Sequence, residues 1–412
     1  MTAIVARLPD VDWLAEPPLS ALLATLDGGG EETRINGGSV RDALLGLPRG
    51  DVDLATTATP DVVVARAAAA GWRTVPTGID HGTVTVVISG RPFEVTTLRR
   101  DVATHGRRAT IAFTRDWAED ARRRDLTING LFADREGRVY DHVGGLADLR
   151  AGRVRFIGDA RERIREDYLR ALRFFRFHAR YAEGPIDRQG FAAAIAERDG
   201  LATLSAERVR AELLKLLVAP RAAETVETMA GAGLFAILIG GVPRPSRFAA
   251  FVARDGAAPD ALLRLSALAQ ATSEDAARLR KRLRLSNAEG RRLDAIGDRT
   301  PFLSPATEEA AARRQIYVLG AEAFRDRVRL GWAEDGAGSD DNSWQELLTL
   351  PDRWSRPKQP VSAAELLKRG VPAGPRMGRT LRAIEAAWIA AGFPDDPGSL
   401  NKLIEGAISG AE

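Results

Sequence analysis

INGGSVRDALLGLPRGDVDLAT, residues 35–56, is the stretch on which the fold turns. Ile35-Asn36 leads into Gly37-Gly38, SVRDALLG has helical spacing, and DVDLAT reads as a strand. Glycine lets the backbone approach a ligand closely. Ser39 is placed to cap the helix that follows, with Arg41 and Asp42 in its first turn. Backbone N–H groups at a helix N-terminus favour an anion such as phosphate. On a strand, Asp51 and Asp53 stand at i and i+2 and so share a face. Taken alone, Gly-Gly also fits an ordinary tight turn, and Asp-x-Asp a solvated turn pair. Together they form one unit: an anion cradle, a short helix, then paired acids.

Two carboxylates on one face repel unless a cation sits between them. Their hard oxygens favour Mg2+ or Mn2+. Two such ions about 4 Å apart can activate a hydroxyl and stabilise a leaving pyrophosphate. Glu94 is a third acidic candidate. In RPFEVTTL it faces away from Phe93 and Val95. If that strand lies beside the Asp51–Asp53 strand, Glu94 completes the acidic site; otherwise it is an exposed strand glutamate.

The surroundings mix two periods. Residues 10–28 read as an amphipathic helix closed by Gly28-Gly29-Gly30, and residues 116–132 look helical. Val84, Val86 and Ile88, then Phe93 and Val95, alternate around Ser89-Gly90 as in a β-hairpin. Residues 99–115, RRDVATHGRRATIAFTR, are charged and glycine-broken, as in a surface loop. From about residue 150 only helical spacing is seen, over 159–180, 205–218, 259–270, 275–284, 307–330 and 375–391. Residues 351–361, PDRWSRPKQPV, read as a linker. No strand is expected after about residue 157, and no fixed-period repeat is evident. The fold class is α+β: a mixed-sheet head followed by helices.

The chain has 412 residues, 45% hydrophobic and 28% charged, as in a folded, water-exposed protein of two to four structural units. It has no cysteine, which excludes disulfides and thiolate metal sites. No run of about 18 apolar residues suggests a membrane span, and the start lacks the apolar core of a signal peptide. A cytoplasmic location is expected. Net charge is only +3, but the basic residues are mostly arginine. Arginine pairs bidentately with phosphate; a GC-rich genome produces the same bias. The four histidines, His81, His105, His142 and His178, show no metal-ligand spacing.

EDYLRALRFFRF, residues 166–177, admits two readings. On one helix, Glu166 and Arg170 are i, i+4, and Asp167 and Arg170 are i, i+3. Asp offers acceptors and Arg offers donors. Cytosine and adenine each present an amine donor beside a ring-nitrogen acceptor, so the pair can match either and mismatch uracil or guanine. Each buried mismatch costs about 1–3 kcal/mol. Equally, the charges can form a solvated ion-pair ladder. Arg173, Arg176 and Arg180 continue the basic series.

These segments together resemble the class II tRNA nucleotidyltransferases and bacterial poly(A) polymerases of the polymerase-β-like superfamily. GGSVRDALLG (37–46) with DVDLAT (51–56) is similar to their signature. In the family's order follow PTGIDHGTVT (76–85), RRDLTING (123–130), DHVGGLADL (141–149), EDYLRALRFFRF (166–177) and SAERVRAELLK (205–215). Likeness is strong over about 30–218 and weaker beyond, at PVSAAELL (360–367) and GPRMG (374–378). Leu126 stands where the family usually has Phe, and Gly130 where it has Ala. The resemblance implies that Asp51 and Asp53 bind Mg2+ or Mn2+, and that Gly37, Gly38, Ser39 and Arg41 contact a triphosphate. It implies that Arg124, Asp125 and Asn129 hold phosphates and sugar, and that Asp167 and Arg170 read the base, with Arg173 and Arg176 alongside. The region 99–115 would help set nucleotide choice. It further implies a head (1–150), a nucleotide-selecting neck (151–220), a helical body (221–300) and a tail (301–412) for RNA. CTP and ATP would be substrates and a tRNA 3′ end the acceptor; no protein partner is implied. A-adding, CC-adding and poly(A) polymerases, and a non-catalytic RNA-binding relative, remain alternatives.

Overall fold

Ser89 and Gly90 both have positive φ, 51° and 79°, the turn that matches the twist of a two-residue hairpin. The flanking strands are the expected ones, Thr83–Ile88 and Arg91–Thr97, with Val84, Val86, Phe93 and Val95 buried. The computed structural model describes residues 4–9, 12–48, 50–105, 108–256, 258–297, 302–336 and 341–410. The chain divides into two compact units, Met1–Gly240 and Gly241–Glu412.

The first unit holds ten strands among its described residues. They are β1 Ile4–Arg7, β2 Thr33–Asn36, β3 Asp53–Thr56, β4 Arg73–Gly78, β5 Thr83–Ile88, β6 Arg91–Thr97, β7 Arg99–His105, β8 Arg108–Phe113, β9 Leu131–Ala133 and β10 Arg138–Asp141. Eight of them form one sheet in the order β1-β10-β9-β2-β3-β6-β5-β4. The β3–β6 pairing is parallel and the others are antiparallel, so the sheet is mixed as expected. The strands β7 and β8 pair separately. The stretch read as a surface loop is thus a hairpin, and its centre at 106–107 lies outside the described residues.

The helices of this unit begin with α1 Pro17–Leu26, α2 Gly38–Leu44, α3 Pro60–Ala69, α4 Trp117–Arg122 and α5 Gly145–Arg150. They continue with α6 Ala160–Glu166, α7 Leu169–Tyr181, α8 Arg188–Ala196 and α9 Ala206–Leu217. Two more, Ala222–Gly231 and Leu234–Ile239, complete it. The helix expected over 10–28 is shorter: a 3-10 turn at Asp12–Ala15, then α1. The helix expected over 116–132 ends at Arg122, and β9 begins at Leu131. Between them the backbone is diverted, because Thr127 N–H donates to Arg155 O and Ile157 N–H to Asp125 O. Trp117 and Phe132 meet edge to face at 5.0 Å and pack with Leu98 over the sheet.

The second unit is helical throughout its described residues, from Pro245–Val252 to Pro397–Ser409. The expected helix over 307–330 is two, Glu309–Leu319 and Ala321–Asp335, parted at Gly320, whose φ is 83°. Two buried apolar clusters hold this unit, one around Phe324, Trp332 and Trp344, the other around Val361, Met377 and Ile404. No helix among the described residues is long and apolar enough to cross a membrane.

Candidate active site

The glycine turn sits between β2 and α2. Gly37 has φ 60° and ψ −114°, a backbone open to glycine at little cost. A Cβ there would lie 3.4 Å from Arg124 Nη1. Gly37, not Ser39, is the N-cap residue of α2. Ser39 lies inside the helix, buried, and its hydroxyl donates to Asp51 O at 2.7 Å. This bond ties the loop before β3 to α2, so Asp51 precedes the strand while Asp53 begins it. Asp51 thus stands in the loop two residues before the strand's first residue; with Val52 buried between two exposed acids the expected alternation is kept, and the Asp51 charge acts on Asp53.

Asp53 pairs in register with Glu94 on the parallel neighbour β6. In-register neighbours on parallel strands point to the same face, and Glu94 is exposed between buried Phe93 and Val95. Partial burial, then the charges of Glu94 and Asp51, raise the Asp53 carboxyl above its ordinary range; Arg124 opposes them. Such a crowd of like charge is what a divalent cation relieves. Among the described residues no group of three His, Cys, Asp or Glu side chains forms a ready-made metal cage. Mg2+ needs only one or two protein carboxylates, since substrate phosphates and water complete its shell. The hard-oxygen donors here fit that demand.

A cleft of about 660 Å³ lies in front of this acid. Asn36, Gly37, Gly38, Arg41 and Asp53 line one side. Arg124, Asp125 and Asn129 line another, and Asp167, Arg170, Arg173 and Arg176 close it. Eleven of the expected residues thus meet in one cleft. Ser39, Asp51 and Glu94 are not among its lining. Eight basic residues and three acidic ones contribute to its lining, a surplus suited to a polyanion.

The second arginine motif is held from both directions. Buried Asp120 receives Arg124 at 2.9 Å and Arg123 at 3.0 Å. Arg124 Nη1 also donates to Asn36 Oδ1 at 3.1 Å, joining this motif to the end of β2. Asp125 accepts from Asn129 Nδ2 at 3.0 Å and from Arg173 Nε at 2.6 Å. Burial alone would raise the Asp125 carboxyl; the Arg173 charge and these hydrogen bonds outweigh it and hold it down at about 2.

The fourth motif departs from a single helix. The chain breaks between α6 and α7, and Asp167 is extended, with φ −154° and ψ 106°. Its Oδ1 accepts from Leu169 N–H at 3.2 Å. Its Oδ2 accepts from Arg208 Nη2 at 2.6 Å, not from Arg170. The Glu166–Arg170 pair forms as expected, at 2.5 Å. Arg170 Nη2 donates to Arg123 O at 3.3 Å, which links this motif to the second. The break lifts Asp167 out of a helical ladder and turns it into the cleft beside Arg170.

Four contributors went unassigned at the level of sequence. Arg208 fixes Asp167, and Phe177 lines the cleft under Arg176 at 4.2 Å. Glu212, buried on α9, accepts from Arg176 Nε at 2.5 Å and lies 3.8 Å from Arg173. Tyr181, at the end of α7, receives Arg41 Nη2 at 2.7 Å.

A glycine turn at a helix N-terminus, an acid crowded by like charge at a strand start and a cleft rich in arginine, on a mixed sheet of this order, are the parts of a nucleotidyl-transferring enzyme. Comparison with known proteins narrows this. Residues 33–155 match the family described as "Poly A polymerase head domain", and residues 185–243 match "Probable RNA and SrmB- binding site of polymerase A". The chain is 34% identical over 394 residues to the mitochondrial CCA tRNA nucleotidyltransferase 1 of Mus musculus, covering 93% of this chain and 89% of that protein. It is 30% identical over 402 residues to the CCA-adding enzyme of Levilactobacillus brevis, covering 96% and 98%. The crystal structure of the Bacillus stearothermophilus CCA-adding enzyme in complex with CTP superposes with a TM-score of 0.75 at 28% identity, covering 95% of this chain and 98% of that one. The chain belongs to the CCA-adding tRNA nucleotidyltransferase family.

Proposed function

We propose that this chain adds C, C and A in turn to the 3′ end of tRNA, taking CTP and ATP and releasing pyrophosphate each time. The carrying observation is the single cleft in which the glycine turn, Asp53 and the Asp167–Arg170 edge meet. At each step the 3′ oxygen of the RNA bonds to the α-phosphorus, the bond to the β-phosphate breaks, and the hydroxyl proton is lost. Asp51 and Asp53 would hold Mg2+ or Mn2+, with Glu94 beside them. The ions supply activation of that hydroxyl and stabilisation of the leaving pyrophosphate.

This chain's own residues do the rest. Backbone N–H groups around Gly37 and Gly38 and the Arg124 guanidinium bind and orient the triphosphate. Asp125 and Asn129 hold the sugar. Asp167 accepts from the exocyclic amine of cytosine or adenine, and Arg170 donates to the ring nitrogen. Arg208 and Leu169 N–H keep Asp167 aimed. Uracil or guanine would bring an acceptor to the Asp167 carboxylate. Residues 1–150 serve as head, 151–220 as neck, 221–300 as body and 301–412 as tail, the last binding the tRNA body through its backbone. A cytoplasmic location is part of this proposal.

The test offers tRNA transcripts ending before CCA, after C and after CC, with CTP, ATP or both. Completion of CCA on the first transcript is expected. Addition of A to the CC-ending transcript alone would replace this reading with an A-adding enzyme, and long A tails on unrelated RNA with a poly(A) polymerase.

A further inference from the structure

Arg41 lies in the glycine-turn motif, yet its guanidinium is turned into the protein. It is buried. Its Nε donates to Asp42 Oδ1 at 2.9 Å, its Nη1 to Asn129 Oδ1 at 2.5 Å and its Nη2 to the Tyr181 hydroxyl at 2.7 Å. The Arg41 guanidinium carbon lies 4.1 Å from the centre of the Tyr181 ring and 5.1 Å from that of Phe177. The Tyr181 hydroxyl also bonds with Asp42. Of the five N–H groups a guanidinium carries, three already have protein acceptors. This is the geometry of a strut, with little donor capacity left for a phosphate.

The two ends of that strut matter. Arg41 and Asp42 belong to α2, whose N-cap is the glycine turn. Tyr181 is the last residue of α7, whose first turn carries Arg170 and adjoins Asp167. From Arg170 to Tyr181, at a helical rise of about 1.5 Å per residue, α7 runs about 16 Å. One rigid helix therefore has the base-reading pair at one end and a bond to the phosphate-turn helix at the other.

We propose that Tyr181 is a positioning residue: by clamping Arg41 it sets the distance between the base-reading end of α7 and the glycine turn, so that a nucleotide bound at both ends presents its α-phosphate aligned for attack. Arg41 then acts through Tyr181 and Asn129, not as a triphosphate ligand. A misplacement of about 1 Å in such an arrangement costs on the order of 100-fold in rate.

The inference rests on the CCA-adding reading and is tested by steady-state kinetics on a CC-ending tRNA transcript with ATP and a C-ending one with CTP. Tyr181→Phe keeps the ring and removes the hydroxyl. Its kcat should fall about tenfold or more for both nucleotides, with nucleotide KM nearly unchanged. Arg41→Lys should give the same split, and Tyr181→Phe should add little in the Arg41→Lys background. All variants are assayed well below their own melting midpoints, so a fall in kcat is not a loss of folded enzyme. Wild-type kinetics for Tyr181→Phe would overturn the proposal. So would an Arg41→Lys enzyme with raised KM and unchanged kcat, the mark of a direct triphosphate ligand. If Tyr181→Phe fails to fold, Arg41→Lys carries the test by the same split. A wild-type enzyme that extends none of the transcripts would instead defeat the CCA-adding reading.

Discussion

The Nε of Arg173 lies 2.6 Å from Oδ2 of Asp125, so a helix beyond the head reaches back and grips the second arginine motif. Asp125 is buried and Arg173 partly so. Removing one partner of a buried pair strands the other charge and costs about 3 kcal/mol or more. Arg173→Leu should therefore lower the urea and thermal unfolding midpoints clearly. Asp125→Asn should be milder, because Arg173 retains Glu212 at 3.8 Å. Equal midpoints for Arg173→Leu and wild type would deny the pair a role in stability.

Acid should weaken the first unit in two steps. Burial first, then the nearby Arg221 charge, lower His178 from 6.5 to about 4. As pH falls from about 6.5 to about 4, the unfolded chain takes up a proton that the folded chain refuses, so stability drops by about 3 kcal/mol. Asp125 is held at about 2 against 3.8. Its contribution is fully present above about 3.8 and is lost as pH falls through about 2. Denaturation curves across this range should show His178→Gln flattening the upper step alone. A His178→Gln profile parallel to wild type would contradict the assignment.

Asp53→Ala should abolish nucleotide incorporation while tRNA binding, measured by filter retention or gel shift, persists. Because Asp53 begins its strand and Glu94 is its in-register neighbour, Glu94→Gln should weaken activity and shift its Mg2+ requirement upward. Full incorporation by Asp53→Ala would remove the metal assignment altogether.

Gly37→Ala would place a β-carbon at a positive φ, at a cost of about 1–2 kcal/mol. The new methyl would also meet Arg124 Nη1 at 3.4 Å. The expected outcome is a modest loss of stability with a larger rise in KM for both CTP and ATP. Titration calorimetry with a non-hydrolysable nucleotide should show the same weakening; unchanged affinity would mean that the turn does not hold the triphosphate.

Asp167→Asn exchanges one acceptor for a donor and loosens the 2.6 Å contact with Arg208. Each mismatched buried group costs about 1–3 kcal/mol, so the preference for CTP over UTP should fall about ten- to hundredfold. Competition assays with both nucleotides read this directly. Retained discrimination would shift base choice to other residues.

Local patterns were legible where chemistry and geometry lie close together in the chain. The β5–β6 hairpin follows from alternation around Ser89-Gly90, and the neighbouring of Asp53 and Glu94 was conditional only on strand order. Errors arose where a distant partner decides. Ser39 bonds to Asp51 O and the expected 51–56 strand starts only at Asp53, and the expected 159–180 helix breaks where Asp167 meets Arg208 on α9. Tyr181 and Arg41 are separated by 140 positions, so no spacing rule connects them. Glu212 did carry a signal. It falls three residues after Val209 and four before Leu216, on the apolar face of α9. A carboxylate there needs a buried cation, and Arg176 supplies it.

The pairing of β1 with β10 joins Ile4–Arg7 to Arg138–Asp141. A nascent chain therefore exposes its first strand long before its partner has been made. At roughly 5–20 residues per second, the ribosome leaves that strand alone for about 7 to 27 seconds. Ile4 and Val5 stay exposed even after pairing, at 51% and 40%. During synthesis this short apolar edge is open to other chains. The interval between making β1 and making β10 is thus a window for aggregation that the finished sheet narrows.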